Sequence, residues 1–125
     1  MARAAEAPDH IRELFAAFGP IVVKRMFGGG GIYADETMFA LIIDGVIYLK
    51  ADEQTVAAFE WEGLAPFTYG AMNKRVAMSY WRMPDRLYDD PEELAQWSRD
   101  ALAAAVRAGV SKARGRSSKK MRKKA

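Results

Sequence analysis

The stretch KRMFGGGGIY, Lys24 to Tyr33, sets four consecutive glycines directly behind a basic pair and a phenylalanine. Glycine-rich loops beside lysine are how many nucleotide enzymes hold phosphate, through backbone amides and a nearby cation. A Walker loop, however, needs its lysine and a hydroxyl residue after the last glycine, where they reach phosphate and Mg²⁺. Here Lys24 and Arg25 come before the glycines, and Ile32-Tyr33 follows them. A dinucleotide fingerprint needs glycine at its sixth position and a helix beyond. Gly28 and Gly30 open that pattern, but Tyr33 stands in the third glycine's place and strand-forming residues follow. The glycines are therefore read as permitting positive φ and a sharp bend or bulge between strands.

Other chemistry-bearing residues are sparse. His10 is the only histidine, so no histidine pair can hold a metal, and it is read as a surface helix residue. Ser79, Ser98, Ser111, Ser117 and Ser118 have no base nearby in sequence, and a triad would have to recruit His10. Asp89, Asp90, Glu92 and Glu93 cluster, but their place at a helix start explains them as capping residues. With no cysteine in the chain there is no disulfide, thiolate metal site or cysteine nucleophile, which fits a reducing compartment. Tyr80-Trp81-Arg82-Met83-Pro84 reads first as strand core, with a recognition surface as the other reading. These residues predict no enzyme, no metal and no cofactor.

The elements that position these residues follow from periodicity. Ile11, Leu14, Phe15 and Phe18 share one helical face, predicting a helix from Pro8 to Phe18 that Gly19-Pro20 ends. IVVKRM reads as a strand and GIYADETMFALIIDGVIYLK as two hairpins, the second turning on Asp44-Gly45. That turn pairs Ile43 with Val46, Ile42 with Ile47, Leu41 with Tyr48 and Ala40 with Leu49. It also puts Phe39, Leu41 and Ile43 on one face and Met38, Ala40 and Ile42 on the other. A strand apolar on both faces is either covered twice by helices or meets a partner. Asp52 to Glu62 predicts a second helix with Asp52 as N-cap. PFTYG and KRVAMSYWRM predict two more strands, joined through residues 70–73. Asp90-Pro91-Glu92-Glu93 opens a third helix whose stripe is Leu94, Trp97, Ala101, Leu102 and Ala105. The expected fold is α+β: an antiparallel sheet of five to six strands with three helices, in the order helix, three to four strands, helix, two strands, helix.

Charge divides the 125 residues unevenly. Residues 111–125 carry Lys112, Arg114, Arg116, Lys119, Lys120, Arg122, Lys123 and Lys124 and no acid. Residues 1–110 keep the other 11 basic side chains against all 16 acidic ones, a formal charge of −5. This predicts a folded domain over 1–110 and a disordered basic arm over 111–125, with the eight cations as candidate contacts to nucleic acid. No apolar run approaches the ~20 residues that span a bilayer, and the first residues lack the apolar core of a signal peptide. The expected location is the cytoplasm.

In chain order, KRMFGGGGIY, MFALIIDGVIYLKAD, GLAPFTYG, KRVAMSYWRMP and DDPEELAQWSRDAL resemble the N-terminal domain of the TfoX/Sxy competence (DNA transformation) regulators, from about Ile11 to about Ala108. The resemblance implies an α+β domain with an antiparallel sheet and no established enzymatic activity. It implies a regulatory role, since the best-known members act with the cyclic-AMP-receptor transcription activator on DNA-uptake genes. Many members carry a second, helical domain, whereas only the basic segment follows Ala108 here. The shared motif positions are Arg25, Met26, Phe27, Gly28, Gly29, Tyr33, Tyr48, Leu49 and Lys50, read as structural residues or a partner surface. The expected function is a non-enzymatic regulatory module that acts by protein contact as a transcription co-regulator. A protein partner from the transcription machinery and a homodimer are both consistent with it. The alternative is non-specific nucleic-acid association through the basic arm.

Overall fold

The hairpin built on Asp44-Gly45 is the most locally determined part of the fold. Both residues take positive φ, 51° and 77°, as a two-residue turn matched to strand twist requires. It joins β3 (Thr37–Ile43) to β4 (Val46–Lys50), and the pairs Ile43–Val46, Ile42–Ile47, Leu41–Tyr48 and Ala40–Leu49 all form as the turn predicts. The computed structural model describes residues 8–26, 28–69 and 76–124. Upstream, β1 (Val22–Met26) pairs with β2 (Gly29–Ala34), which pairs with β3 across a turn at Asp35-Glu36. Downstream, β5 (Pro66–Tyr69) pairs with β6 (Val76–Arg82), and β6 returns to lie beside β4. The result is one antiparallel sheet of six strands in the order β1-β2-β3-β4-β6-β5. The link expected across residues 70–73 lies outside the described residues.

The glycine run belongs to this sheet. Gly28, at φ +67°, turns the chain between the paired residues Met26 and Gly29. Gly29, Gly30 and Gly31 are strand residues with a neighbour on each side, so their amides serve ladders and not an anion. A Cβ on Gly29 would lie 1.9 Å from the Ile42 carbonyl oxygen, closer than any contact allows. Gly29 is therefore needed for the close approach of β2 to β3, and positive φ within the run is confined to Gly28.

Three α-helices are described. α1 (Pro8–Leu14) ends before the predicted Phe18, because its last turn tightens to bonds such as Phe18 N–H to the Phe15 carbonyl before Gly19. α2 (Val56–Trp61) begins later than predicted. Asp52 caps the preceding turn instead: its carboxylate accepts from the Gln54 amide at 3.0 Å, and its own amide donates to the Thr55 hydroxyl at 3.0 Å. A 3-10 turn, Asp85–Asp89, leads into α3 (Pro91–Lys124). There Asp90 caps as expected, accepting from the Glu93 amide at 3.1 Å with Pro91 at the first helical position. The α3 backbone runs through Lys124.

All three helices pack on one face of the sheet. Ile32, Ala40, Ile42, Ile47 and Leu49 meet Leu94, Ala101 and Ala105 of α3, together with Ile11 and Phe15 at the start of the chain and Phe59 of α2. Phe39 also joins this core, 0% exposed, edge-on to Phe15 at 5.6 Å between ring centroids. That corrects the strict alternation expected for β3. Ile32 pairs with Ala40 and Tyr33 with Met38, so Phe39 is an extra residue, a bulge that turns its ring to the helices.

Gly29→Ala is expected to destabilise the fold by about 1–3 kcal/mol through overpacking against rigid backbone. Gly28→Ala, where no atom lies within 4 Å of the added Cβ, costs only the left-handed penalty of about 1 kcal/mol. Urea unfolding of the two variants checks the order.

Candidate functional site

Strand register fixes what the face opposite the helices carries. Cross-strand pairs share a face, so Tyr33 and Met38 line up, as do Leu41, Tyr48 and Arg82, and Lys50 with Tyr80. Ile43 and Val46 continue the surface toward the Asp44-Gly45 turn. None of these side chains belongs to the helix-side core, although at the margins Lys24 and Tyr33 share a recess with Phe18 and Leu102 and Lys50 borders the cleft between α2 and α3. Leu41 and Tyr80 are buried among their neighbours, whereas Tyr33, Met38, Ile43, Tyr48 and Phe67 remain partly accessible.

The rings are ordered by contacts within the face. Tyr48 meets Phe67 edge-on with centroids 5.1 Å apart. The Lys24 ammonium lies 4.6 Å from the Tyr33 ring centroid and that of Lys50 lies 5.1 Å from the Tyr80 centroid, both within cation–π range. Lys50 also donates to the Ser79 hydroxyl. Burial pushes the Tyr80 phenol up to about 12, with the nearby Tyr33 adding to the shift, and its hydroxyl faces the Met38 carbonyl at 3.5 Å.

The shared motif residues fall into separate groups. Tyr33, Tyr48 and Lys50 share this face by register, in separate cross-strand rows. Arg25 pairs with Gly30 and is exposed on the helix side of the edge strand, away from them. Gly28 and Gly29 shape the β1–β2 hairpin, and Leu49 is core. Met26 is placed by its backbone pairing with Gly29, and Phe27 lies outside the described residues. The eight basic residues between 112 and 124 fall within the backbone range of α3.

On the helix side, a cleft of about 420 Å³ between α2 and α3 is lined by Gln54, Phe59, Trp97, Asp100 and Arg107 among others. His10 is exposed on α1 and does not line it. Among the described residues no group of acids and histidine could hold a metal ion. Ser98, fully buried, bonds back to the Leu94 carbonyl at 2.7 Å and so serves the helix. Trp61 stands 90% exposed at the end of α2, a residue that pattern reading did not single out.

Comparison with known proteins gives this arrangement a family. The family model described as the TfoX N-terminal domain matches residues 13–105, from α1 to the middle of α3. The chain belongs to the TfoX N-terminal domain family. Protein Sxy of Escherichia coli is 29% identical over 96 residues, 77% of this chain and 46% of its own length. DNA transformation protein TfoX1 of Aliivibrio fischeri is 26% identical over 98 residues, 75% of this chain and 47% of its own. The chain thus spans about half the length of the curated relatives it matches. Among its described residues, no helix is long and apolar enough to cross a membrane.

The raised Tyr80 phenol has a consequence for stability. A neutral hydroxyl is favoured in the folded state, so this contribution is complete below the ordinary tyrosine value of 10.0. It is lost as pH rises toward about 12, because the unfolded chain releases its proton first. Phenolate absorbance is expected to show a late-titrating tyrosine that Tyr80→Phe removes.

Proposed function

We propose that the chain is a non-enzymatic, cytoplasmic regulatory module of the TfoX type that acts as a transcription co-regulator by protein contact. The observation that carries this reading is the one-sided packing of the helices. The opposite sheet face keeps an apolar, aromatic surface with partly accessible Tyr33, Met38, Tyr48 and Phe67. A surface of this composition, with tyrosines, a phenylalanine, a methionine and an arginine, suits partner docking. Membership in a family whose relatives include a DNA transformation protein supports a regulatory role. The test is transcript profiling of a strain lacking this chain, complemented with the native protein or with Tyr48→Asp. Restoration by the native protein and not by the folded variant is expected. An unchanged transcript profile in the deletion strain would remove the regulatory reading.

A second reading rests on a separate observation, the eight cations without an acid over residues 111–125. Carried on the helical end of α3, they give a cationic segment that can track phosphates without reading bases. We expect the full chain to bind labelled duplex DNA with a log–log salt slope of up to about −7, from −0.9 per phosphate neutralised. A chain ending at Val110 should lose that binding. Equal binding by the shortened chain would move the contact elsewhere.

A further inference from the structure

Three kinds of occupant suit an uncovered aromatic sheet face: a second copy of this chain, a nucleic acid, or an acidic segment of another protein. Charge separates the first from the others. The described strand residues on this face carry Lys24, Lys50 and Arg82 and no acid. Acids stand only at its ends: Asp35 and Glu36 in one turn, Asp44 in another, and Asp85, which pairs with Arg82 at 3.6 Å. Yet the body that bears this face has 11 basic side chains against 16 acidic ones. The strands of the face are basic and its ends acidic, on a domain that is acidic as a whole. Two copies joined face to face about a twofold axis would bring cations toward cations, which disfavours self-association there.

The ring geometry separates the two polyanions. A base-stacking platform needs aromatic rings that offer their flat faces to bases. Here Lys24 lies over Tyr33, Lys50 lies near the Tyr80 ring, and Tyr48 and Phe67 contact each other edge-on. The rings are thus engaged by ammonium groups and by one another, and the cations are held on the apolar surface.

We propose that this face docks an acidic protein segment. Its carboxylates meet Lys24, Lys50 and Arg82, and its apolar side chains sit on Met38, Ile43 and Tyr48. This inference rests on the reading of the face as a docking surface and adds the chemistry of the partner.

The experiment selects peptides from a random displayed library on the immobilised full chain, then measures the selected peptides against face variants. Enrichment of aspartate and glutamate alongside apolar residues is expected, with about tenfold weaker binding to Lys24→Glu and to Tyr48→Ala, the range of a truncated interface anchor. Lys24 is on the exposed edge strand, so Lys24→Glu tests the charge even if Tyr48→Ala disturbs packing. Selected peptides without acidic enrichment, or with binding that survives Lys24→Glu, would overturn the proposal. So would concentration-dependent dimerisation in sedimentation that Tyr48→Ala abolishes, which assigns the face to a second copy. Binding of labelled oligo-dT by the full chain that Tyr48→Ala removes assigns it to nucleic acid instead. Loss of regulation in cells with Tyr48→Asp, but no acidic peptides selected, would leave the docking surface standing and reject only its acidic partner.

Discussion

The structure depends on one constraint: β3 carries more apolar surface than a half-solvated strand can hide. Seven residues, Thr37–Ile43, put Phe39, Ala40 and Ile42 against the helices and still leave Met38, Leu41 and Ile43 on the far side. The bulge at Phe39 resolves part of this excess. By breaking the alternation it sends the largest ring of the strand into the helix-side core, beside Phe15 and Phe18. Strict pairing would have placed that ring on the far face, enlarging the exposed apolar patch and leaving a void beneath α1. Burial of a phenylalanine is worth roughly 1.5–3 kcal/mol, more than the local disruption of one ladder step.

What remains on the far face is then held by polar atoms at its margin. Lys24 and Lys50 lay ammonium groups against tyrosine rings, and Tyr80 is deep enough to keep its hydroxyl protonated to high pH. The apolar surface is thus bordered by charge. On the other side, arginines tie the helices to one another. Arg86 of the 3-10 turn bridges Glu62 and Glu93, joining the end of α2 to the start of α3. Arg107 of α3 grips the Asp52 carboxylate with contacts of 2.6 and 3.1 Å, which holds the Asp52 pKa below its ordinary value. That contribution is present at neutral pH and fades only as pH falls through the lowered value, so the α3–α2 clamp weakens in strong acid.

How much of this was legible in the sequence depends on the range over which each feature is determined. The Asp44-Gly45 hairpin and the Asp90-Pro91 helix start were readable because two to four adjacent residues fix them. The α+β class and the family followed from motifs in order. The bulge was not readable: alternation gave Phe39 to the wrong face, because only the position of α1 and α3 makes a helix-side ring favourable. The ion pairs of Arg86 and Arg107 join residues 24 and 55 positions apart, beyond any local pattern. Asp52 looked like a helix cap by spacing, and its carboxylate caps a turn and binds Arg107 as well, a role set by tertiary packing.

The candidate surface shows the same limit from the functional side. That β3 was apolar on both faces was visible, and with it the choice between two covering layers and a partner. Whether helices cover both faces could not be decided without knowing where they go. Once α1, α2 and α3 all lie on one side, the far face has a definite composition fixed by register: tyrosines, methionine and aliphatics edged by lysine and arginine. The family motif looks different in that light. Gly28 turns the chain from β1 into β2, and Gly29 lets β2 lie close against Ile42 of β3, the strand that also pairs Met38 with Tyr33. The glycine run that first suggested a phosphate site thus acts within the sheet, through the turn at Gly28 and the close approach at Gly29.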